Sequence, residues 1–291
     1  MGKVFKALNR ATESDDALNT VNQSSPLVTE QQNADAPRPA PRVAVIQQMP
    51  TVPASAASGQ WDERLSLATA MTGPVAENIR SLRTRILHPF SGKRTRSLLV
   101  TSAVPEEGKS FICANLGISL AQGVDNTCLL VDCDLRRPMQ HTLFGLDNRA
   151  GLSDYLQRKK AIPELLVPSG VDKLSILPSG PLSINPAELL GSSYMASLVE
   201  ELEQRYDDRI VLFDSPPLQA ASETAVLAQH VDGVILVVRY GKSRREYVKT
   251  LVEAIGRDKI LGVVFNAYAS NLIDTKVFGY YEDYREYHSR T

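Results

Sequence analysis

The sequence predicts a doubly wound α/β fold, a mostly parallel sheet with helices on both faces. Three observations carry this. Apolar runs without alternation, such as Thr127 to Asp132 and Gly233 to Val238, suit strands covered on both faces. Segments with helical spacing separate these runs at short intervals. Hydroxyl and acidic side chains (Ser110, Asp132, Asp134, Asp214) stand at the ends of the runs or just past them, where such folds bind ligands.

Residues 1–60 precede the first core-forming stretch. Gly2 to Ala11 reads equally as a frayed turn or as a docking helix with Val4, Phe5 and Leu8 on one side. Thr12 to Gln60 is rich in Ser, Gln, Ala and Pro. It lacks the apolar residues that offset ordering entropy and is expected to be a disordered linker. Residues 61–95 form a helical lead-in, with Ile79, Leu82 and Ile86 at helical spacing over Val75 to Leu87. Glu77, Arg80 and Arg83 fall on a neighbouring face, where the ordinary reading is a solvated, salt-bridged surface.

The first strand, around Leu98 to Val100, leads into Val104-Pro105-Glu106-Glu107-Gly108-Lys109-Ser110, and a helix opens at Phe111. Strand, short loop, Gly-Lys-Ser and helix describe a phosphate-binding P-loop. Amides at a helix N-terminus lack intrahelical partners and point at any anion there. Gly108 lets backbone approach the phosphates, Lys109 brings a mobile charge, and Ser110 offers a hydroxyl to Mg²⁺. The full pattern has Gly where this chain has Ala103, and Glu106 and Glu107 set two carboxylates beside the phosphate position.

After the P-loop helix (Lys109 to about Gln122), Thr127 to Asp132 forms the second strand and ends in two carboxylates, Asp132 and Asp134. At i and i+2 these share one side of an extended chain. A third strand is expected over Lys173 to Leu177. A helix follows with Asn185 as N-cap and Pro186 in its first turn, and an amphipathic helix continues over Ser193 to Tyr206. Ile210 to Phe213, ending in Asp214, matches a Walker B strand, whose carboxylate meets Mg²⁺ directly or through water. Gly233 to Val238 and Leu261 to Asn266 supply two more strands around a helix near Arg244 to Ile255.

Composition excludes several classes. Lys plus Arg number 32 against 33 Asp plus Glu, so no global field favours nucleic acid as a partner. Cys113, Cys128 and Cys133 sit in apolar segments without ligand spacing, which suits a reducing cytosol. No apolar run nears the ~20 residues of a spanning helix, and the first twenty residues are too polar for a secretory leader. The expected location is cytoplasmic, peripheral at the inner face of the plasma membrane through a partner.

From about Gly73 onward the chain resembles the bacterial tyrosine kinases of polysaccharide synthesis and export, in the stand-alone form without membrane spans. The likeness rests on Ser102 to Ser110 as Walker A, Leu129 to Pro138 as the additional acidic motif, Asn185 to Leu190, and Phe213 to Pro217. The resemblance implies a P-loop ATP-binding domain over residues 96–270. In it Glu107, Gly108, Lys109, Ser110 and Phe111 form the nucleotide loop and Asn266 stands where relatives contact adenine. It further implies that Ser110, with Asp132 and Asp214, holds Mg²⁺, and that Asp134 or Asp132 accepts the tyrosine proton. Glu77, Arg80 and Arg83 correspond to the helix through which such kinases pack into rings. The implied partners are further copies of the chain, a separate membrane activator protein and a cognate phosphatase. Two departures stand out. Glu106 replaces a glycine and is strained if its position needs positive φ. Glu223 replaces an aspartate beyond the Walker B strand.

Residues 271–291 complete the picture. Tyr280, Tyr281, Tyr284 and Tyr287 crowd a polar terminal stretch. A terminal helix packed on the sheet is one reading, and a phosphorylatable tail is the other. The expected activity is ATP-dependent tyrosine autophosphorylation that regulates exopolysaccharide synthesis. The rivals are a ParA/MinD-like ATPase switch, which carries an extra lysine where this chain has Val104, and a nucleotide-gated scaffold without catalysis.

Overall fold

The computed structural model describes residues 60–68, 74–89, 92, 94–205 and 209–267. The expected N-terminal linker, the last tail residues and the tyrosines at 280, 281, 284 and 287 lie outside the described residues. Among these, seven strands form one sheet: β1 (Ser97–Ser102), β2 (Thr127–Asp132), β3 (Val167–Pro168), β4 (Leu174–Leu177), β5 (Arg209–Asp214), β6 (Gly233–Arg239) and β7 (Ile260–Asn266). Their order is β3-β4-β2-β5-β1-β6-β7, parallel throughout except for the short antiparallel edge strand β3.

Alternate residues of the strands feed two cores. Leu99, Val131, Val211, Phe213 and Leu236 face a core covered by α5 (Leu152–Leu156), α8 (Ser193–Arg205), α9 (Glu223–His230) and α10 (Arg245–Ile255). Leu98, Val100, Leu130, Leu212 and Val237 face a second core. It is covered by α2 (Pro74–Leu87), α3 (Lys109–Ala121) and α4 (Gln140–Leu143). Two-sided burial is why β1, β2, β5 and β6 read as unbroken apolar runs. Ile79 and Ile86 are buried, as the spacing of α2 predicts. Among the described residues no helix is long and apolar enough to cross a membrane.

Local details depart from the sequence reading at three places. The third strand starts at Leu174 rather than Lys173, which has φ 61°. Lys173 is a turn residue, and its Nζ donates to the carbonyl of Gly123. Asn185 takes the N-cap position of the short helix Pro186–Leu190 and Pro186 its first turn, as expected, but the Asn185 side chain makes no cap bond. Strand β3 was not foreseen, because two residues carry no periodicity. Its proline is tolerated at a sheet edge.

Candidate active site

Parallel pairing brings the acids together. Between β2 and β5 the register sets Asp132 opposite Asp214, on strands that sit ~4.8 Å apart. The Cys133 amide donates to the Asp214 carbonyl at 2.8 Å and holds the two strand ends level. One strand further, β1 ends at Ser102 and the chain turns through the P-loop into α3. Gly108 precedes that helix at φ 89°. A Cβ there would lie 2.0 Å from Asn266 Nδ2, so only glycine leaves room for the asparagine that closes the loop from β7.

Lys109 is buried and turned into the acid cluster. Its Nζ lies 2.9 Å from Asp134 Oδ2, 3.1 Å from Ser110 Oγ and 3.8 Å from Asp214 Oδ1. Burial alone would lower its pKa, but the charges of Asp214 and Asp134 outweigh it and hold the ammonium protonated. Burial pushes Asp132 up to about 8, with the Asp214 charge adding to the effect. Burial also raises Asp214, while Lys109, Ser110 and Gln140 pull the other way. Three acid side chains share one ammonium, which works against all three ionising together.

The carboxylate oxygens are not equivalent. Asp132 Oδ1 accepts from the Asp134 amide, and Oδ2 accepts from the Met139 and Gln140 amides. Asp134 Oδ1 accepts from the Arg137 amide. Asp214 Oδ2 accepts from Gln140 Nε2 at 2.8 Å, whereas Asp214 Oδ1 is buried with no hydrogen-bond partner. An ionised oxygen in that position, beside a serine hydroxyl, fits a magnesium ion or its water. Among the described residues no trio of acid, histidine or cysteine side chains makes a self-sufficient metal cage. A nucleotide-borne Mg²⁺ needs none, because phosphates supply most of its ligands.

The remaining loop residues take different roles. Glu106 has φ 64°, so the positive φ anticipated for that position is present and falls on a residue with a Cβ. The Glu107 carboxylate turns inward. It is buried, accepts from the Val104 amide at 3.0 Å and from the Ser243 hydroxyl, and so laces the loop to the turn after β6. Asn266 Nδ2 donates to the Glu107 carbonyl at 2.9 Å. The Phe111 side chain is half-buried and packs against the core under α3. Glu223, also buried, receives Arg136 Nη2 at 2.8 Å. On α2, Arg80 pairs with Glu77 at 2.6 Å on the surface, whereas Arg83 Nη1 donates to the Ser119 carbonyl of α3 at 2.9 Å. Gln140 escaped the sequence reading because a lone glutamine carries no motif.

The fold and loop define a P-loop nucleotide-binding protein of the α/β class. No family model matches the chain. It is 37% identical over 217 residues to "Tyrosine-protein kinase YwqD" of Bacillus subtilis (strain 168), across 73% of this chain and 90% of that protein. "Tyrosine-protein kinase wzc" of Salmonella typhimurium is 33% identical over 208 residues, 71% of this chain but only 28% of that longer protein. Among solved structures, the "chimerical protein CapA2B2" superposes with a TM-score of 0.65 at 31% identity, over 72% of this chain and 92% of that one. The MinD protein of Pyrococcus horikoshii, solved with Mg-ADP, shares 20% identity over 61% of this chain and 72% of its own, with a TM-score of 0.52, and so shares the fold alone. The chain belongs to the family of bacterial tyrosine-protein kinases.

Proposed function

We propose that the protein transfers the γ-phosphoryl group of MgATP to tyrosine hydroxyls in its own C-terminal segment, between neighbouring copies. The observation that carries this reading is the single cleft in which Lys109, Ser110, Asp132, Asp134 and Asp214 meet. Free loop amides and Lys109 bind and orient the phosphates. Ser110 and Asp214, with Asp132 behind them, would hold Mg²⁺, which supplies charge neutralisation at the transferring group. Asp134 is the better placed proton acceptor. Once phosphates draw Lys109 away, its Oδ2 is released while Oδ1 stays anchored by the Arg137 amide. A base is needed because a free tyrosine has a pKa near ~10. Tyr280, Tyr281, Tyr284 and Tyr287 are the proposed acceptors.

In this proposal residues 96–270 act as the kinase domain and residues 271–291 as its substrate. The Glu77 face of α2 joins copies into a ring. A separate membrane protein recruits the chain to the inner face of the plasma membrane, a phosphatase resets it, and phosphorylation governs exopolysaccharide export. The test is to incubate purified protein with MgATP and map phosphotyrosine by mass spectrometry. Label concentrated after residue 279 and lost in Lys109→Ala is expected. No label, or equal label in that variant, refutes the reading.

A further inference from the structure

Gln140 is the first residue of α4 and wholly buried, yet nothing in the motif set calls for an amide there. Its Nε2 donates to the Ser110 carbonyl at 3.0 Å and to Asp214 Oδ2 at 2.8 Å, while its backbone amide donates to Asp132 Oδ2 at 3.0 Å. One residue therefore touches the P-loop, the strand-end acid of β5 and the strand-end acid of β2. The amide also sets what remains free. With Oδ2 occupied, Asp214 keeps one oxygen without a hydrogen bond, Oδ1, on the side where Lys109 Nζ approaches to 3.8 Å. Gln140 Oε1 is itself buried without a partner. A buried acceptor in that state is costly unless a further donor belongs to the working site, and a water carried by a cation is such a donor.

We propose that Gln140 is a positioning residue for the metal: its side-chain amide ties Asp214 Oδ2 to the P-loop and so fixes Asp214 Oδ1 as the oxygen offered to Mg²⁺ or to its bound water. The inference rests on the magnesium-nucleotide reading given above. Gln140 need not touch the reacting atoms. It acts through Asp214, as outer partners of metal ligands do, and changes to such partners typically cost 10- to 100-fold in metal affinity. Glutamine suits the task because its amide donates to a carbonyl and a carboxylate without adding charge to a cleft already rich in acids.

The experiment measures fluorescent ADP binding by the full chain across a magnesium titration and again in chelator. Gln140→Met keeps the length and the backbone amide and removes the donor. It is expected to raise the half-saturating Mg²⁺ concentration ~10-fold while changing chelator-phase ADP affinity less than about twofold, and Gln140→Asn is expected to fall between it and the wild type. A merely structural role would instead weaken both phases together. Should the variants not fold, the wild type labelled with ¹⁵N-glutamine suffices. Mn²⁺ with ADP is expected to bleach the Gln140 side-chain amide resonances, and intact resonances overturn the proposal. An unchanged magnesium midpoint in Gln140→Met, beside a normal magnesium response in the wild type, overturns this inference alone. A wild type whose ADP binding ignores magnesium overturns the kinase reading with it.

Discussion

Glu106 shows how a single backbone angle sets an expectation. At φ 64° it occupies the left-handed region, which costs a residue with a Cβ about 1–2 kcal/mol relative to glycine. The exposed carboxylate also stands beside the loop segment that the proposed function assigns to the phosphates. Glu106→Gly removes both penalties, against about 0.5–1 kcal/mol of added freedom in the unfolded chain. Its melting temperature is expected to equal or exceed that of the wild type. Its ATP affinity is expected to rise about two- to fivefold at low salt, the size of one surface charge interaction. Calorimetry and ligand titration check both, and a fall of several degrees would contradict the strain argument. Asp214→Asn is expected to abolish magnesium-dependent phosphorylation while leaving the fold intact, because the amide keeps an acceptor but loses the charge beside Lys109. Circular dichroism paired with a kinase assay tests this.

At the level of elements, α2 divides a motif that looks uniform in sequence. Glu77 and Arg80 pair on the surface, where such bridges contribute little, but Arg83 is spent on the Ser119 carbonyl inside its own subunit. Arg83→Ala is therefore expected to lose about 1.5–3 kcal/mol of folding stability, as for a hydrogen bond to a charged group. Glu77→Ala should stay within about 0.5 kcal/mol and, if the helix joins copies, change only the sedimentation profile. Equal denaturation midpoints for the two variants would refute the distinction. The same level shows what sequence made legible. Strands β1, β2, β5 and β6 were readable because both faces are buried, and the Asp132 and Asp214 positions followed from where those strands stop. The P-loop was readable because its backbone requirements restrict residue type. Lys173 and β3 were not, since their conformations are decided by contacts with Gly123 and β4 rather than by local pattern. Arg83 and Gln140 were illegible for a related reason. Each acts on a carbonyl distant in the chain, 36 and 30 residues away.

For the molecule as a whole, the cysteines report on both packed layers. Cys113 and Cys128 lie in one core and Cys133 in the other, all buried and free. Burial pushes Cys128 up to about 12 from an ordinary 9.0 and raises Cys113 and Cys133 as well. Native protein at pH 8 is expected to resist thiol reagents and to react fully in denaturant. Because unfolding releases these thiols to ionise near 9, stability is expected to fall as pH rises from about 9 towards 12. Rapid labelling of the native state would show that the layers open. The lysine of the P-loop carries a consequence of another kind. While it leans on Asp134 and Asp214, its ammonium offsets part of the acid charge gathered there. Were a nucleotide to claim this ammonium, the acids would lose the counter-ion it provides, and bare ATP would enter against their repulsion. On the magnesium-nucleotide reading proposed above, loading would therefore exchange one cation for another. On the proposed kinase reading, the supply of magnesium, and not of ATP alone, would decide how often the cycle begins.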